Sequence, residues 1–360
     1  MNVSILGAGS IAFANAAVLA HRGHAVTLWS PSGRGTAGLT SAGLTGGRLD
    51  YSGELSGTAQ VTVAASIDAA AAGAEVIIIS LPAYGHAGVM RALAPQVRAG
   101  QTVFVMPMLS LGSLYLAKLL HARGMRVPIA SFGTTVMTAR KTGPASVNLI
   151  SLRSRLDIAA LPVANTAPLL RLATELFGDC FSAQSDTLAV ALVNVNPISH
   201  VPLALANLTR IEKGQAWTQY DHMTGATARI ISAIDIERLR VASALGLKVR
   251  SIEEHFHLSF GVPMTDLGQQ AQLVHDRLGS PAGPVALDSR YFTEDVPYGL
   301  VFYSALGRSA GVPTPALDAC VVLAGAACGR DFSSENELAA ELGIATINID
   351  VLRTLARDGY

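Results

Sequence analysis

The chain has 360 residues, half of them hydrophobic, which is too long for one ordinary compact domain and about right for two. Its 26 basic and 26 acidic residues cancel, so it lacks the electrostatic footprint of a nucleic-acid partner or an anionic membrane surface. The three cysteines, Cys180, Cys320 and Cys328, are odd in number and without metal-ligand spacing. They read as small buried hydrophobes of a reducing cytosol, and neither a disulfide frame nor a metal site is expected.

The chain opens with Val3–Leu6, an apolar run of strand length, which enters Gly7-Ala8-Gly9-Ser10-Ile11-Ala12 and then an Ala-rich helical stretch, Ala12–Arg22. No basic leader or cleavage site precedes the glycines, so the expected location is cytoplasmic. This is G-x-G-x-x-A in strand–turn–helix context. Gly7 can make the tight turn, Gly9 lets a pyrophosphate approach the backbone, and Ala12 lets the helix pack on the sheet. Ser10 and Ile11 open that helix, where backbone N–H groups and the helix dipole face phosphates. A merely structural glycine turn is the plainer alternative.

A second strand, Ala25–Trp29, ends in Ser30-Pro31-Ser32-Gly33-Arg34. An NAD site usually carries Asp or Glu here for the ribose 2′-hydroxyl. Two hydroxyls, Ser30 and Ser32, and the Arg34 guanidinium suit a 2′-phosphate instead, which favours NADP with NAD possible. Otherwise Arg34 is a solvated loop residue and the site accepts both. Gly33–Gly53 reads as a variable loop. Helical spacing at Ile67–Ala72 and Ala87–Arg98 alternates with apolar runs at Val76–Leu81 and Thr102–Met106. Further strands are expected near Pro128–Phe132 and Ser146–Ser151. The alternation predicts a parallel sheet covered on both faces, a Rossmann-like α/β domain. Pro82, just past the third clear strand, is expected to border the ribose and nicotinamide, and His86 to be a loop or helix-start residue.

Beyond Thr187 strand-like runs become scarce. Amphipathic stretches at Leu188–Leu208, Thr227–Leu245, Pro297–Ala310 and Pro315–Ala327 predict a mainly α-helical second domain. The boundary is placed in Ser182–Asp186, giving domains 1–184 and 185–360. Mean hydropathy is positive, +0.39, yet Val76–Pro82 and Ala316–Ala327 fall short of the roughly 20 residues of a membrane span.

Two polar clusters interrupt the helical half. In Asn194–Pro202, Asn196 and His200 are four apart and share a helix face, and a histidine placed by a neighbouring amide can shuttle protons near neutral pH. In Asp288–Pro297, Asp295 is either a helix N-cap or the carboxylate that orients His200. Together the glycine loop, N-x-N-P-x-x-H at residues 194–200, Ile234–Arg238, and R-Y-x-x-E-D-V at residues 290–296 with Gly299-Leu300 resemble the opine dehydrogenases over nearly the whole chain. W-x-P after the second strand, without an acid, is similar to the octopine synthases and points to NADPH. The resemblance implies condensation of an amino acid with a 2-oxo acid, typically pyruvate, through an imine that is then reduced. His200 becomes the general acid/base, Asp295 its partner and Asn196 an aid in placing substrate, with the imidazole and carboxylate converging beside the nicotinamide. Arg140 and Arg290 become candidates for the substrate carboxylates, and Tyr220, with Trp217 and Met223, lines the amine pocket or belongs to the core. The partners are thus small molecules, with neither nucleic acid nor membrane, and a homodimer is left open. Two rivals remain: a 2-oxo acid reductase of the ketopantoate or glycerol-phosphate type, which needs a catalytic lysine, and an NADP(H)-binding sensor without turnover.

Overall fold

A computed structural model of the chain describes residues 1–40 and 46–360. Its residues form two compact units, Met1–Val190 with Thr354–Tyr360, and Ala191–Arg353. The division falls a few residues beyond the expected boundary, and the C-terminal segment expected in the helical half belongs to the first unit.

The first unit is built on one eleven-stranded sheet ordered β11-β10-β7-β6-β5-β1-β2-β4-β3-β9-β8. Its centre consists of β1 (Asn2–Leu6), β2 (Ala25–Trp29), β5 (Val76–Ile79), β6 (Thr102–Val105) and β7 (Ile129–Phe132), all parallel. Every residue of β5 is buried, as a central strand covered on both faces requires. The chain leaves β1 for β2 on one side and returns to β5 on the other, so the switch point lies at the carboxyl ends of β1 and β5, where such sheets bind ligands. Helices α1 (Ser10–His21), α2 (Ile67–Ala72), α3 (His86–Leu93), α4 (Gly112–His121) and α5 (Thr166–Phe177) belong to this unit.

The expected Gly33–Gly53 loop is overturned in its second part. Gly46–Gly53 is β3, paired antiparallel with β4 (Gly57–Val63) and parallel with β9 (Ser146–Leu152), while residues 41–45 lie outside the described ones. Its buried positions alternate at Gly47, Leu49 and Tyr51. The glycines hid that alternation, although at Gly53 the cause is close packing: a Cβ there would lie 2.0 Å from the Leu149 carbonyl oxygen. β8 (Met137–Gly143), β10 (Leu156–Leu161) and β11 (Phe181–Ala183) extend the sheet at its two ends.

His86 begins α3 and is wholly buried, its Nε2 donating to the Leu81 carbonyl at 2.9 Å. Burial pulls its pKa from 6.5 down to about 4. Below about pH 6.5 the unfolded chain therefore binds the extra proton, and the stability that neutral His86 contributes is lost as pH falls toward 4. Urea unfolding should show that the parent loses about 2 kcal/mol more than His86→Leu between pH 7 and pH 5. Equal losses in the two proteins would refute this.

The second unit is helical. The expected helix Leu188–Leu208 is two, α6 (Thr187–Val193), which runs in from the first unit, and α7 (Asn196–Ala206), followed by α8 (Leu208–Glu212). The Asn194 side chain accepts the Asn196 N–H at 3.0 Å and so opens α7, while the Tyr303 hydroxyl donates to the carbonyls of Ala191 and Asn194. Among the described residues the stretch Thr187–Ala206 is long and apolar enough to cross a membrane, a run the sequence reading passed over. It is mostly buried inside the protein. Next come α9 (Gly225–Ala244), α10 (Ile252–Phe260), α11 (Leu267–Leu278), α12 (Arg290–Thr293), α13 (Val301–Ala310), α14 (Pro315–Cys328), α15 (Glu337–Glu341) and α16 (Ile349–Asp358), which passes into the first unit at Thr354. The start expected at Pro297 is a π-turn, Val296–Leu300, that runs on into α13. All three thiols are free, though only Cys320 is fully buried.

Candidate active site

At the end of β1 the glycine turn is held by its neighbours: Gly7 N–H donates to the Trp29 carbonyl at 2.7 Å. A Cβ on Gly7 would lie 2.1 Å from the Ser80 carbonyl oxygen, and its φ is +147°, so only glycine fits. Ala12, beside it, is fully buried. At Gly9 no described residue lies within 4 Å of a Cβ position, which leaves that space to a ligand. Helix α1 starts at Ser10 with no side-chain cap and no acid in its first turn, and its leading N–H groups at Ser10 and Ile11 suit an anion.

Beside this turn a cavity of about 570 Å³ is lined by Trp29–Gly33, Thr36 and residues 63–67. Ser30 and Ser32 are in its wall, and the buried Ser30 hydroxyl has no hydrogen-bond partner among the described residues. A buried orphan hydroxyl calls for a ligand oxygen or water, and an adenosine ribose or its phosphate suits it. The residues therefore fit a dinucleotide. Arg34 is exposed and is not in the lining. Pro82 is exposed just past β5, and Arg140 is exposed on β8, the last strand of the sheet.

In the second unit α7 carries His200 and the turn after α12 carries Asp295. Gly299 brings them together: a Cβ on it would lie 2.3 Å from Cγ of Pro197, so the π-turn packs directly on the start of α7. His200 Nδ1 and Asp295 Oδ2 are 2.9 Å apart, the carboxylate side chain 1% exposed and the imidazole 17%. An ionised Asp295 can only accept, which puts the ring proton on Nδ1 and leaves Nε2 as acceptor. Asp295 is thus the carboxylate partner and not a side-chain cap.

The Tyr291 ring stacks flat on the imidazole, with centroids 4.0 Å apart and planes 6° apart. Burial, reinforced by the charge of Asp295, pushes its phenol well above the usual range, so it stays protonated, and Gln219 hydrogen-bonds to it. Sequence reasoning missed this role for Tyr291, although R-Y-x-x-E-D-V named the residue. Arg290 is more than half exposed, with Nε 3.4 Å from Glu294. Asn196 is in the first turn of α7, but the contact that orients the imidazole comes from Asp295. Tyr220 is half-buried, edge-on to Phe256 and Phe260. Trp217 and Met223 are buried in the core.

The family of NAD/NADP octopine/nopaline dehydrogenases matches through its alpha-helical domain at residues 183–328, and the N-terminus of the NAD-dependent glycerol-3-phosphate dehydrogenases matches at residues 2–108. An opine dehydrogenase of Arthrobacter sp. (strain 1C) is 30% identical over 359 residues, 98% of this chain and 97% of that one. The chain belongs to the opine dehydrogenase family. An octopine dehydrogenase solved with NADH and L-arginine has the same fold, with TM-score 0.82, 19% identity and 98% of each chain covered. A yersinopine dehydrogenase solved with NADP⁺ gives 0.74, 16% identity and coverage of 99% and 98%. As an opine dehydrogenase this chain is an NAD(P)-dependent oxidoreductase acting on CH–NH donors, with an N-terminal Rossmann-like domain and a helical C-terminal domain.

Proposed function

We propose that the substrates are an amino acid and a 2-oxo acid, pyruvate first among them, condensed reductively with NADPH preferred over NADH. The observation that carries this reading is the buried Asp295 carboxylate on His200 Nδ1, with the exposed Arg290 guanidinium five residues before it. In this reading the Nε2 of His200 exchanges the proton: it gives one to the oxo oxygen as water leaves and takes one from the amine. Asp295 holds the ring and stabilises it when charged. Arg290 and Arg140 are candidates for the substrate carboxylates, and Asn196 and Tyr220 for placing the amine. When bound, the nicotinamide supplies hydride to the carbon of the resulting C=N bond.

The absence of a carboxylate at the end of β2 and the orphan Ser30 hydroxyl support the NADPH preference. Ser32 and the exposed Arg34 are the further contacts proposed for the 2′-phosphate. The protein is read as a cytoplasmic enzyme, with a homodimer as its candidate assembly. An NADPH-oxidation screen of amino acids against pyruvate and 2-oxoglutarate tests the reading. Turnover should require both partners, with kcat/KM for NADPH at least about tenfold above NADH. Turnover with an oxo acid alone would mark a hydroxy-acid reductase, and cofactor binding without turnover on any pair a sensor.

A further inference from the structure

We propose that Lys141 is a cofactor ligand, its ammonium taking a phosphate oxygen on the adenosine side of the dinucleotide. The proposal rests on dinucleotide binding by the first unit. Lys141 is on β8, where its backbone N–H donates to Ser10 Oγ at 3.0 Å. That bond fixes it against the opening residue of α1. The side chain crosses the Phe13 ring, with Nζ 3.7 Å from the ring centroid, and ends 3.5 Å from the Ala8 carbonyl oxygen and 3.2 Å from that of Gly35. One carbonyl belongs to the glycine turn and the other to the turn after β2, which walls the cavity. The two turns touch, since a Cβ on Gly35 would lie 2.6 Å from that of Ala8.

The chemistry of this spot suits an anion. Lys141 is half-buried, and burial lowers its pKa with no neighbouring charge opposing it. No carboxylate pairs with it among the described residues. Two of its three N–H donors reach carbonyls at distances long for a charged donor, whose usual range is about 2.7–2.9 Å. A phosphate oxygen would take the third donor and neutralise the charge, beside an uncapped helix N-terminus that favours the same anion. Arg34, the cation that the sequence offered, is exposed on the same turn and outside the cavity lining.

A purely structural strut between the two turns would make the same protein contacts, so the test must separate charge from shape. Lys141→Gln keeps an uncharged donor for the carbonyls, and Lys141→Arg keeps the charge. Calorimetric titration of the full chain with NADPH, NADH and ADP-ribose, with adenosine by competition, gives the readout without turnover. Lys141→Gln should raise Kd for the three phosphate-bearing ligands by about 10- to 100-fold and flatten its salt dependence. Adenosine should be unaffected, and Lys141→Arg should stay within a few-fold of the parent. An equal loss with NADH and NADPH places the ammonium on the pyrophosphate, and a larger loss with NADPH places it on the 2′-phosphate. Unchanged affinities overturn the proposal, as does an adenosine loss equal to that of ADP-ribose. A parent protein that bound no dinucleotide would instead sink the reading beneath it.

Discussion

Asp295→Asn and His200→Ala should each lower kcat by about 10²–10⁴-fold, the usual contribution of a positioned acid/base group. The double variant should be no more than a few-fold worse than the poorer single. The two side chains form one device: the carboxylate is 1% exposed and bonded to Nδ1 at 2.9 Å, so once the imidazole is gone Asp295 has nothing left to orient. An amide at 295 keeps the shape but can donate, which lets the ring take the wrong tautomer. Dinucleotide Kd measured by calorimetry should be unchanged in all three. His200→Ala also strips the buried carboxylate of this partner and should cost about 1–3 kcal/mol of stability, so turnover is compared well below the variant's melting point. Retention of more than a third of kcat by His200→Ala would remove it from the chemistry, and independent, multiplying losses would break the pair.

What was legible in the sequence follows from where the physics is local. β5 is an unbroken apolar run because both faces of a central strand are buried, β1 and β6 are mostly apolar for the same reason, and the glycine turn shows itself because only glycine escapes the Ser80 carbonyl. β10 was missed although all its residues are buried, since Asp157 breaks the run and its carboxylate accepts a hydrogen bond from Gln184, distant in sequence. β3 was missed because its glycines look like a loop until the facing strand is known. In the second domain, helical spacing placed Asn196 beside His200, but the partner that orients the ring arrives through a contact between Gly299 and Pro197 that no periodicity encodes. The stacking of Tyr291 is equally non-local. The match to glycerol-3-phosphate dehydrogenase over residues 2–108 makes the same point, for the dinucleotide half alone does not separate these enzymes. The motifs of the helical half do.

Arg238→Met should destabilise the protein by about 3–5 kcal/mol, the loss expected when one member of a buried ion pair is removed. Arg238 is fully buried in α9. Its Nε donates to Asp235 Oδ1 at 2.7 Å, and its terminal nitrogens donate to the carbonyls of Leu192 and Arg250. Asp235 in turn accepts the Ile252 N–H at 2.7 Å. One side chain thus ties α9 to the end of α6 and to the start of α10, which is why the Ile234–Arg238 motif is structural. Removing it leaves Asp235 buried without its counter-charge. Burial already raises the Asp235 pKa against the pull of Arg238, and the variant lacks that pull. A carboxyl whose folded pKa is raised favours the folded state at low pH and opposes it as pH climbs through that value. The stability deficit of Arg238→Met, read by urea unfolding, should therefore be smaller at pH 5 than at pH 7.5, and Asp235→Leu added to it should restore part of the loss. A deficit that does not change with pH would show that Asp235 is not the stranded group. Because the Leu192 carbonyl lies just before the break that opens α7, the same variant should also lower kcat.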